Sequence, residues 1–177
     1  LPRWDLSDLF QSIDDPKIEE TLIKQLKRAQ IFNKTYRGTV TVTRTPKEIA
    51  GILKEYEAIL QETWKPELYA MLVHSADSKN PKHGALVQKT EQRALEISKE
   101  LLFLELELVK VDEKTLRGWI KSPELTKYRH YLEKELLWKP HRLSESEEKL
   151  MKDMSLSGRS AFTRLYDEEL SHHVFRL

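Results

Sequence analysis

The sequence predicts an all-α fold of about seven helices, packed as antiparallel hairpins around a long central helix at about residues 85–111. Only 5 glycines and 7 prolines occur among the 177 residues, well below the usual share of about 12%. A chain with so few turn residues must run in long elements. There is no cysteine, which excludes a disulfide scaffold and a zinc-cysteine site. One long segment repeats its apolar residues in heptads, as buried helices do.

The first helix is predicted over about residues 16–35. Asp15 and Pro16 form an N-cap and a first-turn proline. The apolar residues that follow at helical spacing are Ile18, Leu22, Leu26 and Ala29. Gly38 ends the helix, and residues 39–43 alternate Thr and Val. A short strand and an extended connector are both open for that segment.

The second helix begins with the same pair of signals, at Thr45 and Pro46. Its apolar face comprises Ile49, Leu53, Tyr56 and Leu60. We expect this helix to reach Trp64, to be broken or restarted by Pro66, and to be followed by a third helical piece over 68–76. Residues 77–84 contain Asn80-Pro81 and a glycine, which is typical of a loop.

The clearest periodicity in the chain predicts the central helix. Its apolar positions alternate steps of three and four residues: Val87, Thr90, Ala94, Ile97, Leu101, Leu104, Leu108 and Val111. Leu102, Phe103 and Leu106 lie off this seam, so the helix is apolar on more than one face. It should be the most buried helix, about 40 Å long at 1.5 Å per residue.

Three further helices are predicted after Gly118. One spans 124–138, between Pro123 and Pro140, and the next opens at Ser144–Glu147 with a capping box. Ser157 and Gly158 should end this helix. A last helix follows, with the apolar residues Phe162, Leu165, Tyr166 and Leu170. We expect the four tryptophans to anchor the core; they are Trp4, Trp64, Trp119 and Trp138.

Charge and hydropathy exclude several classes of partner. Lys and Arg total 30 against 29 Asp and Glu, so no large field of one sign is available for nucleic acid or an anionic membrane. No apolar run of about 18 residues occurs, and residues 1–9 lack the features of a signal peptide. We therefore expect a cytoplasmic protein with neither nucleic acid nor a membrane as partner.

We assign no catalytic residue, metal ligand or cofactor site to this chain. None of its six histidines belongs to the H-E-x-x-H motif that holds zinc. Glu169 and His172 form one E-x-x-H element, but a di-metal centre requires two such elements and two further glutamates. An exposed helix face is therefore the favoured interpretation. No glycine-rich phosphate loop or nucleophile elbow is present.

The densest polar-aromatic cluster is Tyr128, Arg129, His130 and Tyr131. These side chains are candidates for lining a cleft that binds peptide or carboxylate groups. The alternative, which the residue types favour, places Tyr128 and Tyr131 on a packed face with Leu132. Arg129 and His130 would then cap neighbouring helix ends.

A series of short strings runs along the whole chain. They are Trp4-Asp5-Leu6-Ser7-Asp8-Leu9-Phe10, Tyr36-Arg37-Gly38, Ser75-Ala76-Asp77, residues 100–108, Tyr128-Arg129-His130-Tyr131-Leu132, Lys139-Pro140-His141, Leu143-Ser144-Glu145 and residues 158–168. In this order and approximate spacing they resemble the oligoendopeptidase F family of zinc metallopeptidases.

The resemblance implies that residues 1–177 are a single N-terminal helical domain, without catalysis of its own, from a longer enzyme. Zinc, held by H-E-x-x-H and a further glutamate, would lie in a C-terminal catalytic domain that is this domain's partner. The parent would hydrolyse oligopeptides in the cytoplasm, and this domain would narrow access to the cleft. The alternative is a free-standing helical interaction module without enzymatic activity.

Overall fold

The computed structural model describes residues 5–40 and 44–172. Within them the chain forms seven α-helices and no strand, so the predicted all-α class is confirmed. The helices are α1 Pro16–Tyr36, α2 Pro46–Ala76, α3 Pro81–Leu108, α4 Glu113–Lys121, α5 Arg129–Trp138, α6 Glu145–Ser155 and α7 Ala161–His172. Their number agrees with the prediction of about seven, but the helices are not all the predicted ones. Two predicted pieces are joined in α2, and α4 was not predicted.

The core lies between α1, α2 and α3, which pack pairwise. Glu19, near the start of α1, pairs with Lys89 and Arg93 near the start of α3. At the other end, Asn33 donates a hydrogen bond to the backbone oxygen of Glu100 at 2.7 Å. These contacts make α1 and α3 parallel. The short connection between α2 and α3 makes α2 antiparallel to α3.

The second half of the predicted seam of α3 is buried, whereas Val87 and Ala94 in its first half are only partly buried. Leu101, Leu104 and Leu108 are at most 2% exposed. The residues off the seam, Leu102, Phe103 and Leu106, are buried as well. The central helix therefore has apolar contacts on more than one side, as its composition predicts.

The central helix begins earlier and ends earlier than predicted, at Pro81–Leu108 instead of 85–111. Asn80 accepts a hydrogen bond from the Lys82 backbone N–H at 3.0 Å. This is the same combination of cap and proline that opens α1 and α2, so the predicted loop over 77–84 is wrong beyond Asn80. Gly84 lies within the helix, where its cost of about 1 kcal/mol relative to Ala is offset by the long buried helix that follows.

Pro66 neither breaks nor restarts α2, which runs for 31 residues and joins the two predicted pieces. An interior proline removes one helical hydrogen bond and crowds the preceding turn. Here Pro66 itself is buried, and Ile59, Tyr69 and Ala70 on either side of it belong to the core. The burial of these flanking turns offsets the lost hydrogen bond.

The region between α3 and α6 also differs from the prediction. An unpredicted helix, α4, follows Asp112, whose carboxylate accepts from the Thr115 N–H at 2.9 Å. Residues 123–128 form a 3₁₀ turn, so the helix predicted over 124–138 is confined to α5. Glycine and proline often end helices, and for this reason the sequence predicts a helix only after Gly118 and Pro123.

The last two helices form one continuous rod. The capping box at Ser144 and Glu147 is confirmed by reciprocal hydrogen bonds. Ser157 and Gly158 do not end the rod, because residues 156–160 form a π-helical turn that leads directly into α7.

The expectation that the tryptophans anchor the core is confirmed only for Trp119, which is buried. Trp64 and Trp138 are 64% and 55% exposed, so their assignment to the core is wrong. Both lie on the outer face of a helix whose opposite face makes the core contacts. Trp4 lies outside the described residues. So do residues 41–43, which belong to the segment predicted to be either a short strand or an extended connector.

Candidate functional site

The cluster at residues 128–131 divides between two faces at the junction of the 3₁₀ turn and α5. Tyr128 and Tyr131 are half-buried against α2. The Tyr128 hydroxyl donates to the Glu57 carboxylate at 3.0 Å. The Tyr131 ring lies 6.3 Å from that of Tyr56. The two tyrosines thus contribute to helix packing.

Arg129 and His130 are exposed. Arg129 Nε donates to the backbone oxygen of Ile120 at 3.3 Å, in the last turn of α4. This is the helix-end contact that the packing interpretation predicts, and a cation is favourable at a helix C-terminus.

Arg129 also lines an open groove of about 670 Å³ between α4 and α5. Arg117, which also pairs with Glu113, and Lys121 contribute two more cations to this groove. Glu133 contributes one carboxylate, and Leu136 and Ile120 contribute apolar surface. A groove with cations over an apolar wall can accept the carboxylate and side chains of a short peptide. Of the four residues named from the sequence, Arg129 faces this groove, whereas Tyr128 and Tyr131 face α2.

A buried polar cluster behind α5 was not predicted. Arg142 bridges two carboxylates, Glu105 at 3.0 Å and Glu135 at 2.7 Å. The Tyr56 hydroxyl donates to the second oxygen of Glu105 at 3.0 Å. Burial raises the pKa values of Tyr56 and Tyr131. The cluster connects α2, α3 and α5 to the segment before α6.

The Glu135 carboxylate is the most enclosed charge of this cluster. Burial raises its pKa, and the hydrogen bond from Arg142 acts in the opposite direction. One sequence signal could have located the cluster: Glu105 lies within the most apolar stretch of α3, and a carboxylate there requires a partner. The identity of that partner, Arg142, is not a local property of the sequence.

The Tyr36-Arg37-Gly38 string has a structural role at the end of α1. Gly38 has a φ of 76°, a left-handed conformation that glycine adopts without steric cost. Its N–H donates to Glu107 Oε1 at 2.6 Å, and the Val40 N–H donates to the other oxygen at 3.2 Å. One carboxylate of α3 therefore fixes the turn that follows α1.

Arg37 connects the same turn to α6. Its guanidinium lies 2.6 Å from the Glu145 carboxylate. Hydrogen bonds from Arg37 and then Lys149 lower the pKa of Glu145 to about 2. The contacts of Arg37 and Gly38 thus connect α1 to α6 and α3. They have a structural role, and none of them pairs a nucleophile with a base.

A second groove, of about 300 Å³, lies between α2, α3 and the π-helical turn. Glu67 and Glu91 both line it. Burial, followed by the charge of Glu91, raises the pKa of Glu67 to about 7. The folded state therefore binds a proton at Glu67 more tightly than the unfolded chain does.

Glu67→Gln should stabilise the chain above pH 7 and have little effect near pH 4. Stability from a raised pKa is fully present below the unfolded value, near 4.3, and is lost as the pH rises through about 7. Glutamine cannot ionise and retains stability across this range. Urea titrations at several pH values measure the difference. Glu20→Gln, at an exposed position on α1, is the control, and an equal trend in both variants would contradict the prediction.

No group of three or more metal-ligating side chains occurs among the described residues. Glu169 is exposed on α7, and the side chain of His172 lies outside the described part of the chain. The residues described here therefore do not form a zinc site. None of the described helices is long and apolar enough to cross a membrane.

Comparisons with known proteins show sequence similarity to oligoendopeptidases. A family model described as oligopeptidase F matches residues 107–175. An oligoendopeptidase F homolog from Borreliella burgdorferi is 28% identical over 171 residues, which cover 95% of this chain and 28% of that protein. The group B oligopeptidase PepB of Streptococcus agalactiae is 26% identical over 84% of this chain, and 24% of its own length is matched.

A plasmid-borne oligoendopeptidase F from Lactococcus lactis subsp. cremoris is 24% identical over 84% of this chain. The chain spans about a quarter of the length of these relatives. No solved structure gives a significant match.

Proposed function

We propose that the chain, which is similar to an oligoendopeptidase F homolog over 95% of its length and matches the oligopeptidase F family model over residues 107–175, is the non-catalytic N-terminal helical domain of a zinc-dependent oligoendopeptidase. In this proposal residues 1–177 form one domain that covers the catalytic cleft and restricts it to short peptides. The parent works in the cytoplasm. Its C-terminal catalytic domain and the oligopeptide substrate are this domain's partners.

The observation that supports a covering role is that three long helices share one buried core. The three long helices have 21, 31 and 28 residues and bury one continuous apolar core. Arg142 and Glu107 fix the ends of these helices to the segments around them. A layer built in this way keeps its shape when a long chain presses against it, so it can exclude such a chain sterically.

Zinc belongs to the catalytic part of the parent in this proposal, since the described residues of this chain do not provide a ligand set. When bound there, the metal polarises the scissile carbonyl. This chain supplies binding surface and exclusion. The groove at Arg129 is the part that we assign to the distal end of the peptide, because its lining has three cations against the single carboxylate of Glu133. Tyr128 and Tyr131 contact α2, and His130, which follows Arg129 in the chain, is exposed.

The purified chain should neither hydrolyse short peptides nor retain zinc. The test is a fluorogenic peptide assay with and without added Zn²⁺, together with elemental analysis after dialysis. About one zinc per chain, or hydrolysis that depends on zinc, would contradict the proposal. Glu168, Glu169 and His172 would then be the first residues to replace.

A free-standing interaction module is the second candidate, and the exposed apolar side chains of α6 and α7 are the observation in its favour. The gene sequence beyond the codon for Leu177 distinguishes between the two candidate functions. A frame that continues past Leu177 into an H-E-x-x-H motif supports the peptidase domain, whereas a stop codon there supports the module.

A further inference from the structure

A set of large apolar side chains on α6 and α7 is exposed. We call it the outer stripe, and it consists of Leu150, Met151, Met154, Phe162, Leu165, Tyr166 and Leu170. The exposed fractions run from 43% at Leu170 to 71% at Phe162. Single exposed apolar residues are normal on protein surfaces, but a contiguous set of this size marks an interaction surface.

The rod contacts the bundle through its polar side. None of the residues of α6 is buried. Its contacts with α3 and with the turn after α1 include the ion pairs Lys99–Asp153, at 2.8 Å, and Arg37–Glu145, at 2.6 Å. A surface helix normally directs its apolar face to the core and its charges to solvent. Here Leu156 and Ala161 lie on the side toward α3, but the seven larger apolar side chains of the outer stripe are exposed on the solvent side.

The π-helical turn aligns the two halves of the stripe. A π turn contains one residue more than an α turn, and one residue corresponds to about 100° of rotation. That rotation brings Phe162 and Leu165 of α7 to the same side of the rod as Leu150 and Met154 of α6. In an uninterrupted α-helix the two apolar faces would diverge.

Exposed apolar surface continues beside the rod on α2. Trp64 and Ser160 line the same groove, and Met71 and Ser160 line the next one. Trp64 and Met71 are both more than half exposed. The unpartnered surface therefore extends from the rod to the second half of α2.

We propose that the outer stripe is the surface against which the remaining, catalytic part of the peptidase polypeptide packs. This inference rests on the proposed function only in assuming that such a part exists. The chain covers 28% of the length of the Borreliella burgdorferi relative, so most of that protein lies outside the matched region. The whole stripe falls within residues 107–175, which the family model matches. A partner with an apolar contact face fits the stripe.

The test uses the full-length protein and two variants with matched chemistry. Phe162→Glu places a charge on the stripe, and Ile31→Glu places one on α1 at a residue that is 63% exposed. Both side chains are exposed in this fold, so neither change disturbs the core. Far-ultraviolet circular dichroism verifies that the helix content of each variant is unchanged.

Limited proteolysis then reports whether the chain stays docked. We expect Phe162→Glu to accelerate cleavage after Leu177 at least tenfold, and Ile31→Glu to leave the rate unchanged. Equal rates in the two variants would overturn the inference. So would sedimentation showing a dimer that Phe162→Glu dissociates while protection after Leu177 persists, because the occupant would then be a second copy. The assay contains no substrate, so failure of the steric gate would not alter its outcome.

Discussion

Replacing Arg142 with alanine should destabilise the chain by about 3–5 kcal/mol, the cost of leaving buried charge without its partner. Arg142 holds two carboxylates, and its side chain is 19% exposed while that of Glu135 is 8% exposed. Removal of the guanidinium leaves Glu105 and Glu135 without their shared ion-pair partner. Guanidinium chloride denaturation at pH 7 measures the loss.

Two controls make this prediction specific. Arg117 pairs with Glu113 on the surface, where both side chains are about 60% exposed, so Arg117→Ala should cost about 0–1 kcal/mol. The destabilisation by Arg142→Ala should also shrink as the pH falls, because protonation removes the unpaired carboxylate charges. A loss under 1 kcal/mol that does not change with pH would show that the bridge from Arg142 to Glu105 and Glu135 does not stabilise the fold.

The second large effect is expected at Leu104. Leu104→Ala should cost about 2–5 kcal/mol, from lost transfer free energy and from the cavity that remains. Leu104 is 1% exposed and lies in the seam of α3. Leu137→Ala, at a position that is 73% exposed, should change the free energy of unfolding by less than about 0.5 kcal/mol. An unchanged denaturation midpoint for Leu104→Ala would mean that the buried face of α3 is assigned incorrectly.

The sequence predicted those helices whose signals are local. Asp15-Pro16 and Thr45-Pro46 mark the starts of α1 and α2, and the capping box at Ser144 marks the start of α6. At Asn80-Pro81 the pair, together with a nearby glycine, is also typical of a loop, so the sequence predicts a loop where α3 begins. An interior proline removes a helical hydrogen bond, which is why the sequence predicts a break at Pro66. The burial of the turns around Pro66, which keeps α2 continuous, depends on tertiary packing and is not visible in the local sequence.

The candidate site was less predictable for a geometric reason. Residues 128–131 are adjacent in sequence, but successive helical residues point about 100° apart. Tyr128 and Tyr131 consequently face α2, while Arg129 faces the outer groove. The bridge from Arg142 to Glu105 joins residues far apart in the chain. Only the packing of α3 against α6 and the segment before it brings them together, so no local pattern could indicate the pair.

The central claim is that this domain restricts access to the cleft and does not take part in the chemical step. The measurement is kcat/KM for an eight-residue peptide and for the same eight residues embedded in a long unstructured protein, with the full-length enzyme and a version lacking residues 1–177. Zinc content and circular dichroism establish that the truncated enzyme is folded and loaded. We predict that truncation raises cleavage of the long substrate relative to the short one at least tenfold. A folded, zinc-loaded truncated enzyme that still rejects the long substrate would contradict the claim.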